Sequence, residues 1–253
     1  MSIYSIYFSP TGGTKKVMDI LTEGLSIDSQ IDLSDPEADY GRYNFEKKDV
    51  CLIGAPVFEG RVPFVALERM RQMRANGAMA VLVVVFGNRA YDDALLELKN
   101  EAASCGYTVG AAVAAVAEHS IMRQYGAGRP DAQDKMQLRQ FSEKIAELIA
   151  NREHVKEFTV PGNAAYQELN GFPLKPTADK SCVKCGLCAE KCPVQAIPKE
   201  DPASLKKEKC IVCMRCVAIC PQKARKLNKA ALFAASQAMK KVFAERKQNE
   251  LYI

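Results

Sequence analysis

Twelve residues starting at Cys182, CVKCGLCAEKCP, are echoed 28 residues on by CIVCMRCVAICP starting at Cys210. Each copy reads Cys-x2-Cys-x2-Cys-x3-Cys-Pro. Eight of the ten cysteines thus crowd between 182 and 220. Nothing at the N-terminus reads as a secretory signal, so disulfides are the weaker reading and clustered thiolates point to metal. Zinc sites usually pair two Cys-x2-Cys units. Three cysteines at x2 spacing and a fourth before proline, twice over, are hard to obtain from zinc. Cys51 and Cys105 stand apart in apolar surroundings and read as packing residues.

The rest of the chain sets the frame. Its 253 residues suit one medium domain and a small one. Apolar residues at 48% and charged residues at 26% describe a globular composition, and no apolar run is long enough for a membrane span. The expected compartment is the cytoplasm. The net charge is +5, and basic residues gather between 199 and 229. No helix-turn-helix or RNP-like pattern accompanies them, so no nucleic acid is expected. A solvated face is the first reading, and a docking face for an acidic redox protein the second.

The first 155 residues alternate strand and helix patterns. SIYSIYF, QIDL, DVCLIGAP, AMAVLVVVFGN and TVGAAVAAVAEH read as five strands. DPEADYGRYNFEKKD, where a second helix belongs, has little periodicity and reads as loop. The expected fold is α/β, a doubly wound parallel sheet over 1–155. Pro161, Gly162, Gly171, Pro173 and Pro176 mark 156–177 as a linker. The cysteine domain spans 178–225. A helix over 226–253 carries Leu232, Ala235, Met239, Val242 and Phe243 on the stripe expected to pack back on the protein.

SPTGGT follows the first strand and opens the first helix. It matches neither a Walker loop nor a dinucleotide fingerprint. Ser9, Thr11 and Thr14 supply hydroxyls, and Gly12 and Gly13 let the backbone close on an anion at a helix N-terminus. The stretch resembles the phosphate loop of flavodoxins, and that resemblance implies FMN. Two further loops fit it: GAPVFEGRVP, with Pro56, Val57, Phe58, Gly60 and Arg61, and FGNRAYDDA, with Gly87, Asn88, Arg89, Ala90 and Tyr91. EHSIMRQYGAGRPDAQD, after strand five, reads as a lid hinged at Gly126 and Gly128, with His119 in a structural role. Arg61, Arg89, Arg123 and Arg129 are expected on the flavin side, so that at least one reaches the flavin.

The cysteine repeat resembles the two-cluster bacterial ferredoxin pattern. That resemblance assigns Cys182, Cys185, Cys188 and Cys220 to one [4Fe-4S] cluster and Cys210, Cys213, Cys216 and Cys192 to the other. The fourth cysteine of each run crosses over. Taken whole, with SPTGGT, GAPVFEGRVP, GNRAYDDAL, AEHSI and GRPD, the chain resembles the flavodoxin–ferredoxin fusions of the EFR1-type ferredoxin family. The resemblance implies a flavodoxin-like domain, a small ferredoxin-like α+β domain, and electron transfer among FMN, two clusters and a redox partner. An FMN-dependent reductase of a quinone or nitro compound stays open, as does a homodimer. No residue is expected to act in acid–base or nucleophilic catalysis.

Overall fold

The computed structural model describes residues 1–253, save the side chain of His154. The chain starts with β1 (Ile3–Tyr7), then α1 (Gly13–Leu21), β2 (Ser29–Asp32), β3 (Val50–Pro56) and α2 (Phe64–Arg71). β4 (Met79–Phe86), α3 (Ala94–Ser104), β5 (Thr108–Val116) and α4 (Ala132–Ala150) complete the alternation. The sheet runs β2-β1-β3-β4-β5, with every neighbour parallel. This is the flavodoxin-like order of doubly wound sheets. No helix joins β2 to β3. The backbone of Tyr43 and Phe45 pairs with Arg74 instead, and Tyr40 and Phe45 are buried.

Strand alternation builds the two cores. From β4, Ala80, Leu82, Val84 and Phe86 enter the layer of α2 and α3, with Met70, Leu95 and Leu98. Met79, Val81, Val83 and Val85 enter the layer of α1 and α4, with Val17, Leu21, Leu138 and Ile145. A strand covered on both faces needs an unbroken apolar run, which β4 has. Between β4 and β5 the register slips by one residue at Ala80 and Val81, leaving Gly110 as the extra residue. A Cβ there would overlap the Met79 side chain.

The second domain holds β6 (Thr177–Ala178), α5 (Leu187–Glu190), α6 (Arg215–Ala218) and β7 (Arg225–Lys226), with β6 and β7 antiparallel. α7 (Lys229–Phe243) follows. It buries Ser236 and Phe243 and half-buries Leu232, Ala235 and Met239, while Val242 stays 47% exposed. The expected stripe is thus corrected at Val242, which lies a helical step off the 232–236–239–243 line. The chain then returns as β8 (Glu250–Tyr252), antiparallel to β5. Tyr91 Oη donates to Glu250 Oε2 at 2.7 Å, and Asn249 Oδ1 accepts from Val116 N at 2.8 Å. This strand, absent from the expected helix over 226–253, covers the open edge of β5. Among the described residues no helix is long and apolar enough to cross a membrane.

The segment after β5 is tied down on two sides. Tyr125 stacks on Phe243, with centroids 4.4 Å apart, and donates to Ser236 O at 2.7 Å. The Arg129 guanidinium is buried. It pairs with Asp134 and donates to Asn88 Oδ1 at 2.9 Å and Lys247 O at 2.8 Å. His119 Nδ1 accepts from the N–H groups of Ile121 and Met122, each at 3.1 Å, so the ring is neutral and its hydrogen sits on Nε2. Burial, and then the charge of Arg89, lower its pKa to about 4.

Two outcomes follow from this segment. The His119 pKa is depressed from an ordinary value near 6.5, so the unfolded chain binds the extra proton. Stability is present above that value and drops as pH falls to about 4. Thermal unfolding of His119→Asn should therefore weaken less across this window than that of the unaltered protein; parallel curves would refute the assignment. Arg129→Met leaves Asp134 buried without its main cation and should cost roughly 3 kcal/mol in urea unfolding. A loss below about 1 kcal/mol, the range of an exposed pair, would contradict the burial argument.

Candidate functional site

The carboxyl ends of β1, β3, β4 and β5 surround one crevice, as expected of a ligand site on an open α/β sheet. Ser9, Thr11, Gly13 and Thr14 form one wall; Pro56, Val57 and Phe58 form another; Gly87 and Ala117–Ser120 close it. Gly12 sits at φ 88°, just before α1, a left-handed backbone that glycine adopts without penalty. Ser9 Oγ accepts from Lys15 N at 2.9 Å, and Gly12 O accepts from Lys16 N at 3.0 Å. Gly13 and Thr14, just before these two lysines, line the crevice. A helix N-terminus with hydroxyls and no committed cation suits a phosphate, since Lys15 is paired with Asp19. The Pro56–Phe58 wall and the bare Gly87 suit a flat apolar ring. This donor set and these walls fit a flavin mononucleotide.

Seven expected residues do not line the crevice: Gly12, Gly60, Arg61, Asn88, Arg89, Ala90 and Tyr91. Arg61 is held by Glu97, a buried carboxylate of α3, with Nε to Oε2 at 2.9 Å; it also donates to Gln167 O at 2.8 Å. Arg89 pairs with Asp92, Arg123 with Glu118, and Arg129 with Asp134. The four arginines expected toward the flavin therefore all have carboxylate partners within the chain. Asn88 donates to Phe243 O at 3.0 Å and anchors the end of α7. Tyr91 packs on Phe86 and holds β8. His119, read as structural, also lines the crevice, and a Cβ on Gly87 would stand 2.7 Å from its ring.

The cysteines divide between two apolar cavities. Cys182, Cys185, Cys188 and Cys220 line one; Cys192, Cys210, Cys213 and Cys216 line the other. The sequence repeat recurs in the backbone. Lys184 and Val212, Gly186 and Met214, and Gln195 and Lys223 are all left-handed, each pair 28 residues apart. Ala196 N donates to Cys192 Sγ and Ala224 N to Cys220 Sγ, both at 3.3 Å. Burial pushes the Cys213 thiol up and that of Cys216 up to about 12. Metal ligation requires thiolates, so a metal bound here would displace these protons. Among the described residues, no group of three or more His, Cys, Asp or Glu side chains converges on one metal-ion position. The thiols stand around the cavity walls, an arrangement that fits a polynuclear cluster. Cys51 is buried in the first domain's core, and Cys105 packs beside it.

Domain docking brings the two kinds of site together. Arg69, buried over the Tyr40 ring, donates to Leu33 O in the first domain and to Pro193 O in the second at 2.6 Å. Lys199 pairs with Glu37 at 2.9 Å, and Val194 and Ile211 pack on the first domain's apolar layer. As a result Cys213 lines the same crevice as Thr14, Phe58 and Gly87. No local pattern in the sequence signals this contact, because it arises from docking alone. Beside the crevice lies a cleft of about 700 Å³, walled by Thr11, Gly13 and Lys16 on one side and Met214, Cys220 and Lys223 on the other.

Residues 176–233 match the 4Fe-4S dicluster domain family. Over 59 residues the chain is 43% identical to a component of the ion-translocating oxidoreductase complex of Methanosarcina acetivorans; the match covers 23% of this chain and 22% of that one. The chain thus spans about a fifth of that relative's length. Among solved structures, a flavodoxin from the domain Archaea aligns with TM-score 0.42 and 15% identity, over 59% of this chain and 99% of that one. Flavodoxin 1 of Bacillus cereus gives 0.42 and 14%, over 58% and 98%. Rubredoxin oxygen:oxidoreductase of Desulfovibrio gigas gives 0.42 and 16%, over 60% and 37%. The fold assignment itself rests on the strand order. The chain joins a flavodoxin-like sheet to a 4Fe-4S ferredoxin-type domain.

Proposed function

We propose that this chain is an electron-transfer flavoprotein of the flavodoxin–ferredoxin, EFR1-type kind, passing electrons between two [4Fe-4S] clusters and a bound FMN, and on to a redox partner in a reducing cytoplasm. The carrying observation is Cys213, which lines both a cysteine cavity and the crevice at the sheet edge. Ser9, Gly13 and Thr14 would hold the phosphate, and Pro56–Phe58 with Gly87 would flank the ring. Cys192, Cys210, Cys213 and Cys216 would hold the cluster nearer the crevice, and Cys182, Cys185, Cys188 and Cys220 the other. When bound, FMN supplies two-electron exchange and each cluster one-electron exchange. The chain's own part is to set potentials, spacing and access. Residues 1–155, completed by β8, would form the flavin unit, 156–177 the linker, 178–225 the cluster unit and 226–249 the return segment that carries α7. A second reading, an FMN-dependent reductase of a small acceptor, draws on the 700 Å³ cleft beside the crevice.

Anaerobically reconstituted protein should carry about one FMN and about eight irons per chain. Two tightly held zinc ions, or FAD in the crevice, would sink this reading. Steady turnover of quinones or nitro compounds, matching the rate with a protein acceptor, would favour the reductase. Cys192→Ser should damage the cluster held by the second run and spare the first; spectroscopic loss confined to the first overturns the crossed ligation. Arg69→Gln removes a charged bridge between the domains and should weaken docking by about 2 kcal/mol. Stopped-flow reduction of the flavin by dithionite-reduced clusters should slow, with iron content unchanged. An unaltered rate would show that docking does not depend on this residue.

A further inference from the structure

Arg225, in β7, is one of the largest fully buried side chains of the protein, at 2% exposure. Its Nη2 donates to Pro202 O and, at 2.7 Å, to Ser204 O. Its Nε and Nη1 are buried with no hydrogen-bond partner. A guanidinium has five N–H donors, and three of them belong to those two nitrogens. Buried donors without an acceptor are rare in folded proteins and call for a specific explanation. Arg225 is one of the residues lining the cavity ringed by Cys182, Cys185, Cys188 and Cys220.

The internal repeat supplies a control within the molecule. The residue 28 positions earlier is Ile197, 3% exposed, and it lines the other cysteine cavity. At equivalent places, one cavity meets an aliphatic side chain and the other a buried cation with free donors. Arg215 lines the second cavity and also has a buried, unpartnered Nε, but the residue is partly exposed and lacks the full burial of Arg225.

Resting on the cluster assignment proposed above, we propose that Arg225 tunes the cluster held by Cys182, Cys185, Cys188 and Cys220, donating from Nε and Nη1 to its sulfur atoms. One-electron reduction adds negative charge to a cluster. A buried guanidinium and N–H···S bonds stabilise that added charge, so they raise the reduction potential. Ile197 offers the other cluster no N–H donor, and only the Arg225 charge, not its donors, bears on Cys210 and Cys216 there. Arg225 is thereby a positioning and tuning residue that separates the two potentials.

The test is a dithionite titration with redox mediators on the full-length protein, followed by electron paramagnetic resonance, with the two signals assigned through Cys185→Ser and Cys213→Ser. Arg225→Met should retain both clusters and shift the first more than the second, whose Cys210 and Cys216 also feel the Arg225 charge. Near the first cluster's original midpoint, the ratio of its reduced to oxidised form should fall about tenfold, equivalent to 59 mV for one electron. Ile197→Val should leave both signals in place. An unmoved first potential in Arg225→Met, with both clusters present, overturns the proposal and leaves the cluster assignment intact. Unaltered protein that takes up no iron at either cysteine set overturns the assignment itself. If Arg225→Met fails to hold the first cluster, Arg225→Gln, which keeps N–H donors and loses the charge, takes its place. A lowered first potential there supports the role, and an unchanged one refutes it.

Discussion

Thiolates cannot stay bare in an apolar interior. Eight cysteines surround two cavities whose walls are almost wholly apolar, and burial pushes the thiols of Cys210, Cys213 and Cys216 toward their protonated form. Ligation resolves that conflict, since a metal cluster neutralises the sulfurs and ties the loops to one another. The backbone bears the mark of this demand. Val212 and Met214 hold left-handed angles that side chains with a Cβ resist, and their counterparts Lys184 and Gly186 hold the same angles. Such strain persists where surrounding bonds over-determine it, as at a ligand clamp.

The flavodoxin-like half solves a different problem with few charges. Its crevice draws on a helix N-terminus, hydroxyls and a glycine-rich turn. Nearby arginines are committed to carboxylates: Arg61 to Glu97, Arg89 to Asp92, Arg129 to Asp134. These pairs brace the loops around the crevice. The Arg61–Glu97 pair links the loop after β3 to α3, and Tyr166, from the segment before the cysteines, stacks on the same guanidinium. Asp93 binds that segment too, accepting from the N–H groups of Asn163 and Gln167.

Much of this arrangement was legible in the sequence where the chemistry is local. The cysteine repeat, the β4 apolar run and the SPTGGT turn each mark their place in the fold within about a dozen residues. The missing helix between β2 and β3 was legible too, from the lack of periodicity. Long-range partners were not legible. Nothing near Arg61 announces Glu97, 36 residues on, and nothing near Cys213 announces the crevice of the other domain. β8 escaped notice because three residues, Glu-Leu-Tyr, carry no alternation long enough to read. Its identity as a strand comes from the open edge of β5 that receives it.

That terminal strand changes what kind of fusion this is. The cluster domain does not trail from the end of the flavodoxin-like domain. The chain leaves after α4, builds the cysteine domain and α7, and comes back to complete the first domain's sheet. The cluster domain is therefore an insertion, leashed at both ends. With two attachment points, the meeting of cysteine cavity and crevice is an intramolecular event whose frequency is set by effective concentration and not by how dilute the protein is.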